Sequence, residues 1–73
     1  MSNITNGQKL VNNNTVWNVI DVCGNRAVIE RTNGWDRIVE ELKRVDVGFG
    51  ELVWVLADVP RRAIDDEAIF VVW

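Results

Sequence analysis

A chain of 73 residues has room for one small domain, and at that size only about 60–65 % of the unfolded chain's surface becomes buried, leaving a thin stability margin. Hydrophobic residues make up 48 % and charged residues 26 %, the balance of a folded protein rather than a disordered tail. A net charge of −3 offers no surplus of Lys and Arg to neutralise phosphates, which argues against duplex nucleic acid as a partner. With no His and one Cys, the chain by itself excludes Ser-His and Cys-His catalysis, a His/Cys metal cluster and an internal disulfide.

Residues 1–7 lack the basic and apolar segments of a signal peptide, and residues 1–6 read as a frayed tail. A short first strand is expected at 7–11, followed by a loop at Asn12-Asn13-Asn14. The runs 15–22, 26–32 and 35–39 are rich in β-branched and aromatic residues. Gly24-Asn25 and Asn33-Gly34 separate them, and these dipeptides suit type II′ and type I′ hairpin turns. A three-stranded meander follows.

Pairing outward from Asn33-Gly34 sets Arg31 against Asp36, Glu30 against Arg37 and Ile29 against Ile38. Pairing from Gly24-Asn25 sets Cys23 against Arg26, Val22 against Ala27, Ile20 against Ile29 and Trp17 against Thr32. One face then carries the row Ile20–Ile29–Ile38 as core. The other carries Trp17–Thr32–Trp35 and Val19–Glu30–Arg37, a mixed surface on which two indoles flank a threonine.

Residues 36–45 admit two readings. Ile38, Val39, Leu42 and Val45 fit helical spacing, with Glu40/Arg44 as an i,i+4 pair, so an α+β arrangement with a helix at 36–46 stands as the alternative. The favoured reading is a strand to Val39, a tight turn at 40–43 and a short strand at 44–47. After Gly48-Phe49-Gly50, residues 51–59 read as a strand buried on both faces and ended by Pro60. Residues 61–67 are a polar loop or one helical turn. Residues 68–73 close the chain as a last strand, paired back on 52–58. The longest apolar run, 52–57, is far too short to span a bilayer, so no membrane association is expected.

Four segments carry a resemblance: Gly7-Gln8-Lys9-Leu10-Val11, Thr15-Val16-Trp17-Asn18-Val19, Arg26-Ala27-Val28-Ile29 and Val39-Glu40-Glu41-Leu42-Lys43-Arg44-Val45. An opening strand, a long meander and a single-turn crossover in this order resemble small SH3-like barrels over residues 7–47, most closely those of bacteriophages and mobile elements. The resemblance implies a mostly β fold in a single domain over 1–73, with an SH3-like core at 7–47 and a C-terminal β-hairpin at 51–73 as its cap. It does not extend to the plasmid-borne type II dihydrofolate reductase. Where that enzyme carries Val-Gln-Ile-Tyr, this chain reads Trp35-Asp36-Arg37-Ile38.

Glu40-Glu41 and Asp65-Asp66-Glu67 lie in expected loops and match neither a paired acid/base site nor a calcium loop. Gly48-Phe49-Gly50 follows no phosphate-binding pattern. No catalytic residue, cofactor or metal site is therefore expected. The candidate partner-binding residues are Trp17, Glu30, Thr32, Trp35 and Arg37 on the mixed face, and Phe70 and Trp73 on the terminal strand. A last strand ending on four apolar residues is an exposed-edge hazard unless it is paired. The expected function is thus a non-enzymatic protein-interaction or assembly module that forms homo-oligomers, in a host cytoplasm (a lone Cys fits a reducing compartment) or in a virion. Two alternatives stand beside it: a module that stacks single-stranded nucleic acid on Trp17 and Trp35, and an acidic inhibitor of a host enzyme, compatible with a pI near 4.7.

Overall fold

The computed structural model describes residues 4–73. Six strands run in chain order: β1 (Lys9–Asn12), β2 (Thr15–Cys23), β3 (Arg26–Asn33), β4 (Asp36–Asp46), β5 (Leu52–Leu56) and β6 (Val71–Val72). A 3₁₀ turn over Arg61–Ala63, following Pro60, is the single helical turn expected in that segment. The strands form one antiparallel sheet in the order β5-β4-β3-β2-β1-β6. A bridge between Trp54 and Phe70 brings its two ends together, so the sheet curls into a nearly closed barrel. The chain is a small, mostly β barrel.

The turns set the register. Gly24 has a φ of 60° and Asn25 follows at negative φ, so Gly24-Asn25 closes the expected type II′ hairpin with Cys23 opposite Arg26. At the next turn Asn33 pairs with Asp36, and the loop is Gly34-Trp35 rather than Asn33-Gly34. Only Gly34 has positive φ there, 65°, so glycine takes the first central position of a II′-like turn. The consequence is a two-residue slide: Ile29 faces Glu40, Arg31 faces Ile38 and Thr32 faces Arg37. Because the slide is even, every side chain keeps its face. Asn13 and Asn14, with φ of 51° and 62°, make a tight β1–β2 turn that asparagine tolerates.

A β-bulge corrects the expected core. From the Gly24 turn the pairing runs as expected to Asp21–Val28, then shifts so that Val19 faces Ile29 and Asn18 faces Glu30. An unbroken ladder puts Asn18 inside and Trp17 and Val19 outside. Burying an unpaired amide costs on the order of 1–3 kcal/mol, whereas the bulge turns Trp17 and Val19 inward. Asn18 then lies outside, where its Oδ1 accepts from Lys9 Nζ at 3.0 Å. Of the expected row Ile20–Ile29–Ile38, Ile29 is core and Ile38 packs against it, while Ile20 gives up its place to Val19 and Trp17. The core consists of Ile4, Leu10, Trp17, Val19, Ala27, Ile29, Leu42, Trp54 and Phe70, with Val22, Ile38 and Leu56 packed against it.

Residues 36–46 form neither a helix nor a strand-turn-strand. β4 is one continuous strand in which Leu42 is fully buried between Ala27 and Leu56. In β5, Val53, Trp54 and Val55 are all buried, as its apolar run implies. The expected C-terminal hairpin is reduced to the one Trp54–Phe70 bridge, since β6 pairs with β1 through Leu10–Val72 and Val11–Val71. The frayed tail expected at 1–6 is contradicted at Ile4, which is buried, and at Thr5, whose N–H donates to Gln8 Oε1 at 3.0 Å and whose carbonyl accepts from the Gln8 N–H at 3.2 Å. Residues 1–3 lie outside the described residues.

Candidate interaction site

The mixed face does not exist as a unit. Trp17 is 8 % exposed, turned inward by the bulge, and its ring meets Phe70 edge-on at 6.2 Å and 69°. The Arg31 guanidinium lies over the same indole, 5.1 Å from the centroid. An aromatic pair and a cation–π contact of this kind contribute roughly 0.5–1.5 kcal/mol each. Trp35, by contrast, is 104 % exposed at the β3–β4 turn. Trp17 and Trp35 thus form no common stacking platform, and the single-stranded nucleic-acid reading loses the surface on which it rested.

Of the remaining candidates, Glu30, Thr32 and Arg37 stay together on β3 and β4, apart from Phe70 and Trp73. Glu30 and Arg37 form an ion pair on the outer face of the sheet, diagonal rather than directly opposite, with the arginine well exposed. Arg26 and Glu41 form a second pair there at 2.9 Å. Exposed pairs of this sort contribute about 0.2–1 kcal/mol. Thr32 is exposed near the hairpin tip. Phe70 is a core residue and bridge partner, while Trp73 is 72 % exposed.

The acidic clusters have structural work. Glu41 is in the pair with Arg26. Asp65 Oδ1 accepts from the backbone N–H groups of Glu67 and Ala68 at 3.0 and 3.1 Å, closing the turn before Phe70. No cluster of three or more His, Cys, Asp or Glu side chains among the described residues is arranged to hold a metal ion. No helix among the described residues is long and apolar enough to cross a membrane.

What the structure does gather is an apolar seam. Beyond the Trp54–Phe70 bridge, β5 and β6 diverge and leave a slot of about 560 Å³. Phe49, Glu51, Leu52 and Val53 line it from in and before β5, Ile69, Val71 and Val72 from in and before β6, and Ile4 lines it as well. Val71 and Val72 are about half exposed. Trp73 follows them, its N–H donating to the Lys9 carbonyl at 2.9 Å. Phe49, at the slot's rim, is 111 % exposed and holds a φ of 56°, an unfavourable conformation for a bulky residue. Asn12 fastens the far side: its Nδ2 donates to the carbonyls of Glu67 and Ile69 at 2.8 and 3.0 Å, drawing the C-terminal segment onto β1.

Phe49 and the clamp at Asn12 were not among the expected functional residues. The signal for Phe49 was an aromatic between two glycines, in a turn with nothing beside it to cover a ring. Asn12 gave none, because its partners lie 55 and 57 residues away.

The fold defines a class, a small, mostly β barrel with an open seam between β5 and β6. No protein-family model, curated protein or solved structure matches the chain.

Proposed function

We propose that this chain is a non-enzymatic protein-interaction and assembly module of the SH3-like type, and that it self-associates through the β5–β6 seam. The observation that carries this reading is that Phe49, Val71 and Val72, each half exposed or more, line one slot, with the exposed Trp73 next in the chain. A monomer rarely leaves so much adjoining apolar surface in water, and patches of that kind mark contact sites. The strained backbone at Phe49 points the same way, since a ring held outward at a conformational cost gains from a partner. The expected setting is the reducing cytoplasm of a host, compatible with the exposed free thiol of Cys23, or a phage particle.

Sedimentation velocity on the double variant Phe49→Asn/Trp73→Ser tests the reading. Both residues are largely exposed, so the barrel keeps its core. Relief of strain at position 49 leaves the monomer as stable as the wild type or more so, because asparagine tolerates positive φ better than phenylalanine. The wild type sediments as an oligomer and the variant as a monomer. A variant that associates as well as the wild type rules the seam out.

A further inference from the structure

We infer that Asn33, at the β3–β4 hairpin tip, is a site of spontaneous covalent modification. Its side chain cyclises onto the Gly34 nitrogen, loses ammonia and opens to isoaspartate or aspartate. The tip lies beyond the opposite end of β4 from Phe49, so this chemistry is independent of the seam.

Asn-Gly is the dipeptide in which this ring closes most readily, because glycine sets no side chain against the approaching carboxamide. The chain holds two, Asn6-Gly7 and Asn33-Gly34, and all four residues are exposed. What separates them is the nucleophile. The Gly7 N–H donates to the Val19 carbonyl at 2.8 Å. That bond must open before the nitrogen can attack, which slows the reaction at Asn6 by about tenfold or more. Among the described residues, no hydrogen bond engages the Gly34 N–H or the Asn33 carboxamide. Asn33 pairs with Asp36 to close the turn, leaving the Gly34 N–H to solvent. The space beside the Gly34 Cα is open to 4 Å. By contrast, Asn12 donates to the Glu67 and Ile69 carbonyls, Asn18 accepts from Lys9 and Asn25 accepts from Arg44.

The steps need only hydroxide and water. The Gly34 nitrogen gives its proton to hydroxide and attacks Asn33 Cγ. A C–N bond forms there as the Cγ–Nδ2 bond breaks and ammonia leaves. Water then opens the five-membered imide. Opening at the main-chain carbonyl leaves isoaspartate, with the chain running through Cγ, and opening at Cγ leaves aspartate. Isoaspartate adds a methylene to the backbone at the residue whose pairing with Asp36 closes the turn. Either product adds a carboxylate at that position, and like charges directly across a ladder destabilise it. The modification thus loosens the tip that presents Trp35.

Peptide mapping of the full-length chain, aged at mildly acidic and mildly alkaline pH, tests this. Cleavage after Lys9, Arg31 and Arg37 isolates segments 1–9 and 32–37. Segment 32–37 gains a negative charge and the mass change of amide to acid, faster at alkaline pH, and separates into isoaspartate and aspartate forms. In the folded chain Asn6 converts about tenfold more slowly or less. In urea, where the Gly7 bond is lost, the two sites convert at similar rates. Asn33→Gln abolishes the acidic form of 32–37, because its longer side chain must close a strained six-membered ring. A folded chain in which Asn6 converts as fast as Asn33 overturns the inference. So does one in which 32–37 stays intact while the unfolded chain converts. Neither result bears on self-association.

Discussion

Two tryptophans of this chain have opposite physical fates. Trp17 fills the barrel between Phe70 and Arg31, whereas Trp35 projects from a two-residue turn and touches water on all sides. Truncating a buried indole removes its transfer energy and leaves a cavity, so Trp17→Ala costs about 3–5 kcal/mol, a large fraction of a 73-residue domain's stability. Trp35→Ala stays within about 0.5 kcal/mol of wild type. Urea denaturation with the m-value held common checks both, and equal losses at the two positions contradict the assignment of faces. Trp54 shows how a buried aromatic recruits a charge. The Arg44 guanidinium lies 5.6 Å from its ring centroid while donating from Nε and Nη2 to Asn25 Oδ1 at 2.9 and 2.7 Å. A lysine at position 44 reproduces neither the planar stack nor the two-nitrogen grip.

At the level of elements, the sequence is most legible where structure is local. The Gly24-Asn25 turn and the three pairs next to it follow from backbone preferences within a few residues. The Gly34 turn lies one residue further on than its dipeptide suggests, since glycine serves either central position and the pairing beyond the turn decides between them. The bulge at Ile20 is set by what the opposite wall of the barrel can accept. Its trace is a change of phase along β2: Trp17 and Val19 alternate on odd positions, then Ile20 and Val22 on even ones. Read as one unbroken alternation, that pattern yields a false aromatic face, and the candidate site drawn from it dissolves with the register. Likewise β4 stays a strand through Glu40-Glu41 because Ile29 and Val28 pair with these residues on one side and the Ala57 N–H donates to the Glu41 carbonyl at 2.9 Å on the other, which a segment read alone does not reveal. The bulge makes a clear prediction. Val19→Asp buries a charge and unfolds the domain or costs more than about 3 kcal/mol. Ile20→Thr, at a half-buried position, costs about 1 kcal/mol. Thermal melts followed by circular dichroism decide it, and the reverse order restores the regular ladder.

On the scale of the whole molecule, the barrel spans 41 × 22 × 20 Å, its length set by the β2–β3–β4 meander. Trp35 and Phe49 lie beyond opposite ends of β4, whose 11 residues extend about 35 Å. The seam and the hairpin tip are therefore independent surfaces, and substitution at Trp35 leaves self-association untouched. The sheet order explains why the seam falls where it does. β6 is two residues long and fully engaged with β1, so one bridge is all that joins it to β5. A chain this small that leaves its barrel open beside Phe49, Val72 and Trp73 gains most by laying a second copy over the gap. Light scattering coupled to size exclusion, across a dilution series from millimolar to low micromolar, measures this most directly. The account predicts a mass above the single chain's 8.3 kDa at high concentration, falling toward the monomer on dilution. A constant mass of one chain throughout the series contradicts it.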